Sequence, residues 1–251
     1  MAVAQNRNLI KNQLLKNDSV TVSGLSSLLG ISEVSIRKYL SQLERDGFCI
    51  RTHGGAVLVP EKSPVTQPLS KVKQAIAKTA ASLIQPGARI IVDSGSTTAR
   101  LLPFLQQIPD IVVMTNSLPI ATALTERSNN ATILMCGGTW DPVSHSFQGQ
   151  MSEKMIASYN FEWAFVGASG VDVDTGTATF HELTKLSQVM SDVSEQTVVM
   201  AESDKLSKKM PNIELAWSQI SHFVTDNQIT EEAVAQIRTH DVHVLLADKG
   251  E

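Results

Sequence analysis

Residues 90–102 read IIVDSGSTTARLL: a β-branched apolar run, a turn of small hydroxyl residues around one glycine, then a helix-forming tail. The run predicts a buried strand and the tail a helix, so the turn joins a strand end to a helix start. Gly95 permits close backbone approach, and Ser96, Thr97 and Thr98 set hydroxyls beside the amide hydrogens that a helix start leaves unpaired. Such a cradle suits a dianionic phosphate, and the same residues can equally serve as a plain helix cap.

Outward from this stretch the alternation repeats. A helix near 70–84 leads to a strand at 89–93, a helix at 97–107 to 111–115, and a helix at 118–127 to 131–136. Beyond come a strand at 161–168, a helix around 181–194, strands at 197–201 and 222–226, a helix near 230–239 and a strand at 242–247. Strands alternating with helices predict an α/β domain, a doubly wound, mainly parallel sheet covered on both faces. Ligands of such sheets sit at the carboxyl ends of the strands, where this chain carries the polar turns DSGSTT, TNS, GGT, GASG and ESDK.

Towards the N-terminus, PEKSPVTQPLS (60–70) holds three prolines, which favour an extended connector. It separates a small domain over 1–59 from a larger one over 71–251. In the small domain a helix at 4–17 offers Leu9, Ile10, Leu14 and Leu15 as an apolar face. A second begins after Thr21 or Ser23 and runs through Leu25, Leu28 and Leu29 to Gly30. A third opens at Ser32 and buries Ile36, Leu40 and Leu43, ending at Gly47. A hairpin turning at Gly54-Gly55 follows. This order is the plan of a winged helix-turn-helix. Its third helix would present Ser32, Ser35, Arg37 and Lys38 to a DNA groove, with Arg51 and His53 flanking the duplex. The same pattern also fits a three-helix packing or protein-interaction module with solvated charges.

Charge divides along the same boundary. Residues 1–59 carry seven Lys/Arg and four acids, a net +3, whereas the remainder carries 14 and 21, a net −7. A basic head on an acidic body suits a nucleic-acid binder whose body has another task. At 251 residues two domains are expected. The absence of an 18-residue apolar run predicts no membrane span, and the N-terminus lacks the look of a secretion signal. Cys49 and Cys136 are the only cysteines, which predicts a reducing, cytoplasmic setting without a disulfide frame. The six histidines form no ligand set, so no metal or cofactor is expected.

The stretch VTVSGLSSLLGISEVSIRKYLSQLERDGFCIRTHGGAVL (20–58) resembles the N-terminal domain of DeoR-family transcriptional repressors. Leu29-Gly30-Ile31-Ser32, Ser35-Ile36-Arg37-Lys38, Leu43-Glu44, Gly47 and Arg51 through Ala56 carry the likeness. Tyr39 departs from it, standing where the family usually has Asp, and Lys38 lacks the second arginine's fork. The likeness continues through DSGSTT, MTNSLPIA, GGT, FQGQ, FVGASGVD, GTATFHELTKLSQVM and ESDKL, which resemble that family's sensor domain. That domain is similar to ribose-5-phosphate isomerase.

The resemblance implies operator DNA and a phosphorylated sugar or polyol as partners of a homo-oligomer, a dimer or a tetramer. It implies that Asp93, Ser94, Gly95, Ser96, Thr97 and Thr98 hold the phosphate, with Asn116 at the next strand end. Gly138, Gly167 and Gly170 would let backbone approach the ligand; Glu182 and Lys185 would reach in from a helix start, and Asp204 and Lys205 would close another side. Each has a structural alternative: Asn116 as a turn former, Glu182 and Lys185 as a surface ion pair, Asp204 as a cap. TILMCGGTWDPVSHSFQGQ and TGTATFHE resemble the glucitol (sorbitol) operon repressor branch, which implies glucitol 6-phosphate or another hexitol phosphate. A rival expectation is a sugar-phosphate isomerase with an accessory DNA-binding head. That chemistry needs a positioned base, for which Glu182 is a candidate, but GASGVD lacks the acid-rich signature of the isomerases.

Overall fold

The computed structural model describes residues 2–17, 19–45, 48–52, 54–58, 70–126, 130–142, 144–179, 185–208, 210 and 212–248. His53, Gly47, Glu182 and all but the last residue of the 60–70 stretch lie outside the described residues. The chain divides into two compact units, Met1–Glu61 and Lys62–Glu251.

The first unit contains α1 (Ala2–Asn17), β1 (Ser19–Thr21), α2 (Val22–Leu29), α3 (Glu33–Arg45), β2 (Cys49–Thr52) and β3 (Gly55–Leu58). Ile10 and Leu14, one helical turn apart on α1, pack with Leu25, with Ile36, Leu40 and Leu43 of α3, and with Cys49 and Ala56 of the hairpin. The apolar stripe of α1 is narrower than its sequence suggests: Leu9 and Leu15 are 42% and 58% exposed. Leu28 of α2 is likewise 61% exposed, because Val22, Leu25 and, in part, Leu29 face the core instead. Gly30 ends α2 at φ 66°, the left-handed conformation that a residue without Cβ adopts freely.

The wing has three antiparallel strands in the order β1-β3-β2. β1, three residues long, is too short to announce itself by alternation. Thr21 ends β1 and caps α2, its hydroxyl accepting from Gly24 N at 3.0 Å.

The second unit is a doubly wound α/β domain. It begins with α4 (Lys71–Ala81) and β4 (Arg89–Val92), followed by a 3-10 turn at Thr98–Leu101 and α5 (Leu102–Leu105). Then come β5 (Val112–Thr115), α6 (Leu118–Thr125), β6 (Thr132–Met135), β7 (Thr139–Asp141), β8 (Ser146–Gln148) and α7 (Gln150–Ile156). β9 (Phe161–Gly167), β10 (Gly170–Asp172), β11 (Gly176–Thr179), α8 (Lys185–Asp192) and β12 (Ser194–Met200) follow. After a 3-10 turn at Ser203–Ser207 the chain closes with β13 (Asn212–Ala216), β14 (His222–Asp226), α9 (Glu231–Arg238) and β15 (His243–Ala247).

Seven strands form the main sheet in the order β15-β14-β12-β9-β4-β5-β6, every pair parallel. Alternate side chains feed two cores. Ile90, Val92, Val113, Val198 and Val224 pack on one face with Ile76 and Ala80 of α4. Ile91, Met114, Ala164, Val199 and Phe223 pack on the other with Met190 of α8 and Ile237 of α9. The 97–107 helix is broken: Ala99 N bonds Gly95 O at 3.0 Å and Arg100 N bonds Thr97 O at 3.0 Å, so the chain turns tightly before α5 starts. Two small antiparallel sheets, β7-β8 and β10-β11-β13, decorate the strand ends.

The strand order reverses between β4 and β9. From β4 the chain adds β5 and β6 on one side, then β9, β12, β14 and β15 on the other. The crevice outside the carboxyl ends of β4 and β9 is the place where such sheets bind ligands.

Candidate functional site

The stretch after β4 lies at that reversal. Asp93 N donates to Phe165 O of β9 at 2.9 Å, so the loop starts in register with both central strands. Asn116, buried at the end of β5, grips the loop twice. Its Nδ2 donates to Asp93 Oδ1 at 3.0 Å, and its Oδ1 accepts from Ser94 N at 3.0 Å. Thr98 Oγ1, fully buried, donates towards Asp93 O at 2.8 Å and Gly95 O at 3.2 Å. Asn116 and Thr98 therefore shape the loop from within, while Ser94, Gly95 and Ser96 remain partly exposed. A Cβ on Gly95 would lie 3.0 Å from Thr98 Oγ1, so the turn is tight as well as open.

Burial pushes the Asp93 carboxyl up to about 6, against the hydrogen bonds from Asn116 and Ser94 that favour its ionised form. Its charge also acts on two neighbours. Glu214 of β13 is raised to about 7, first by burial and further by Asp93, while a 2.7 Å bond from Ser187 Oγ opposes the rise. Burial pushes the Cys136 thiol up to about 12, with Asp93 adding to the effect.

A cation that sequence reading overlooked completes the loop. Lys73, in the first turn of α4, places Nζ 2.9 Å from Ser96 Oγ and 3.6 Å from Glu202 Oε2. Nothing in SKVKQAIAK distinguishes Lys73 from a solvated helix lysine; the contact spans 23 residues and exists only once the sheet forms. Lys205 shares this corner. Its pKa falls below the usual lysine range through burial, through Lys208 and, more weakly, through Lys73, while Asp204 acts the other way.

The remaining expected residues scatter. Asp204 is exposed and pairs with Lys208 at 3.6 Å. Lys185 is 70% exposed and reaches Glu153 of α7 at 3.4 Å, not a residue of the β4 loop. Gly138, at φ 141°, is hemmed in by Ser152 and by Gln148 O. Gly170 lies so close to Lys208 O and Met210 that no Cβ fits. At both positions the missing side chain serves packing of the protein on itself. Gly167 has open space where a Cβ would project.

In the first unit, α3 leaves Arg37 and Lys38 exposed while Ile36 and Leu40 are buried. Ser32 caps the helix, accepting from Ser35 N at 3.3 Å, and the two hydroxyls lie 3.0 Å apart. Arg37 Nη2 pairs with Glu33 Oε2 at 2.8 Å, one turn back on the same face. Arg51 is tied to α3: its Nη1 donates to Ser41 Oγ and its N to Glu44 Oε1, both at 2.8 Å. Tyr39 packs against the core beside Leu40. Among the described residues no helix is long and apolar enough to cross a membrane, and Cys49 and Cys136 are buried and free.

Two domain families match the chain: the DeoR-like helix-turn-helix domain over residues 7–62 and the DeoR C terminal sensor domain over 70–227. The chain is 31% identical over 252 residues to a putative aga operon transcriptional repressor of Escherichia coli O157:H7, covering 97% of this chain and 93% of that protein. It is 29% identical over 253 residues to the uncharacterized HTH-type transcriptional regulator YulB of Bacillus subtilis, covering 97% and 96%. Among solved structures it is similar to ribose 5-phosphate isomerase A from Methanocaldococcus jannaschii, at 17% identity and a TM-score of 0.41, over 55% of this chain and 57% of that one.

Proposed function

The chain belongs to the DeoR family, and from that premise we propose that it is a cytoplasmic, homo-oligomeric repressor of a sugar or polyol catabolic operon, released by a phosphorylated effector. The observation that carries the effector half is the Asp93–Thr98 loop at the sheet's reversal, with Lys73 Nζ 2.9 Å from Ser96 Oγ. Exposed hydroxyls, amide hydrogens and an ammonium group converge there, a combination suited to a phosphate dianion. Asp93, Asn116 and Lys205 flank it, where sugar hydroxyls or further phosphate oxygens can be bound. A hexitol phosphate such as glucitol 6-phosphate is the ligand we propose first, on the likeness of the β6–β8 stretch to the glucitol repressor branch.

On the DNA side, α3 reads the major groove through Ser32, Ser35, Arg37 and Lys38, with Arg51 and His53 contacting the flanks of the duplex. Joined subunits gain avidity on repeated half-sites. The effector shifts operator affinity only by its differential affinity for two subunit arrangements, a coupling of about 1–3 kcal/mol in typical cases. No catalytic turnover belongs to this reading.

The test uses DNA from upstream of the protein's own gene and a panel of sugar and polyol phosphates. The protein should bind that DNA with strong salt dependence and release it on addition of a phosphorylated compound, while the unphosphorylated parent compound leaves the complex intact. Thr97→Val should retain DNA binding and lose the response, giving a repressor that does not let go. Aldose–ketose phosphate interconversion well above background would favour an isomerase and count against the proposal.

A further inference from the structure

Lys73 has two partners whose consequences differ. Ser96 belongs to the loop proposed to hold phosphate, whereas Glu202 lies between β12 and the following 3-10 turn. Glu202 in turn accepts from Ser70 Oγ through Oε1 at 3.5 Å, and Ser70 is the N-cap of α4, its Oγ also accepting from Lys73 N at 3.3 Å. Ser70, Lys73 and Glu202 thus form a closed circuit that touches the loop at Ser96. Ser70 is also the residue at which the chain arriving from the DNA-reading unit enters α4. The pair is largely shielded, with side-chain exposures of 21% for Lys73 and 22% for Glu202, so a change in its pairing is not simply absorbed by water.

We propose that Glu202 is a built-in competitor of the effector phosphate for Lys73, and that displacement of Glu202 passes occupancy of the Ser96 loop to the start of α4. This rests on the sensor reading above and adds the route out of the site. Without ligand, the carboxylate neutralises Lys73 and fixes the Ser70 cap. A phosphate at Ser96 brings two negative charges to the same ammonium, which can serve both only at the cost of carboxylate–phosphate repulsion. The Lys73–Glu202 contact, at 3.6 Å the longer of the two, then gives way, and the Ser70 bond is remade. Lys205 lies on the neighbouring turn, where burial and Lys208 lower its pKa; an anion bound at Ser96 acts in the opposite sense and favours its charged form.

The two partners of Lys73 make opposite predictions for ligand affinity. In the full-length protein, inorganic phosphate and glucitol 6-phosphate are titrated by calorimetry, and release of the upstream DNA is followed in parallel. Lys73→Gln should weaken phosphate binding by about tenfold or more, with Lys73→Arg retaining most of it. Glu202→Gln should tighten phosphate binding by roughly two- to fivefold while shrinking the ligand's effect on DNA affinity. A merely structural residue would not yield a tighter ligand and a weaker response together. If Glu202→Gln binds phosphate no better than wild type, or responds fully in the DNA assay, the relay is wrong even though the sensor stands. If the wild-type protein binds neither compound nor any other sugar phosphate, the sensor reading itself fails and the relay falls with it.

Discussion

Asn116 and Asp93 hold each other at 3.0 Å across the ends of neighbouring parallel strands, and the same amide accepts the Ser94 N–H. One side chain thereby fixes both the carboxylate and the backbone entry of the loop. Asn116→Ala should leave the Ser94 amide and Asp93 without this partner and destabilise the second unit by about 2 kcal/mol. Urea unfolding measures that loss. The same variant should bind sugar phosphates more weakly than wild type, since an unfixed loop pays an ordering cost on binding. Unchanged stability would mean that the clamp is not formed in solution.

Arg37 is already partnered before DNA arrives. Its 2.8 Å pair with Glu33 is exposed on both sides and therefore weak, but it must open or share when a phosphate approaches. Arg37→Ala should weaken DNA binding by about tenfold or more and lower the dependence of log K on log salt by about one unit, leaving effector affinity intact. Glu33→Gln should act in the other direction, strengthening DNA binding by roughly two- to fivefold at low salt. Filter binding across a salt series separates the two.

Glu214 makes stability depend on pH with a definite sign. Its pKa in the folded protein is about 7 against an ordinary 4.5, so the folded state binds the extra proton first. Above pH 7 the buried charge costs stability; as pH falls through 7 towards 4.5 the cost disappears. Glu214→Gln keeps an oxygen for the Ser187 hydroxyl and carries no charge. It should therefore exceed wild type by on the order of 1–3 kcal/mol at pH 8, and the gap should shrink to roughly a quarter of that by pH 5. Asp93, raised to about 6, adds a smaller slope of the same sign in both proteins. Thermal melts from pH 5 to 8 provide the comparison, and parallel curves would contradict it.

The main sheet was legible because each central strand carries apolar residues on both faces. Ile90, Ile91 and Val92 announce burial without alternation, as strands covered by two layers of helices do. Tertiary context decided the rest. The broken 97–107 helix follows from Gly95 and Thr97 carbonyls that accept bonds four and three residues on, respectively, a competition invisible in periodicity. The strands β7, β8 and β10 are three residues each and carry too little pattern to read. At the candidate site, the hydroxyl loop could be named from the turn chemistry at a strand end, and Asn116 through the family resemblance. Lys73 could not, because it reaches the loop from a helix position with no local signature; Glu202 opens the ESDK turn, but nothing in the sequence shows that it meets Lys73. Lys185 and the glycines at 138 and 170 show the converse: motif membership does not say whether a residue faces a ligand or its own chain.

In the first unit, Thr21 pairs with Gly55 in the wing, and Val22 N bonds Gly54 O at 2.8 Å, so the hairpin turn is stitched to the opening of α2. Any Cβ at position 55 would strike Val20 O, which leaves this seam no slack. Wing and helices consequently approach a duplex as one preformed tool. The entropy of arranging them is lost when the chain folds rather than when it docks, and adaptation to a given operator falls to the double helix.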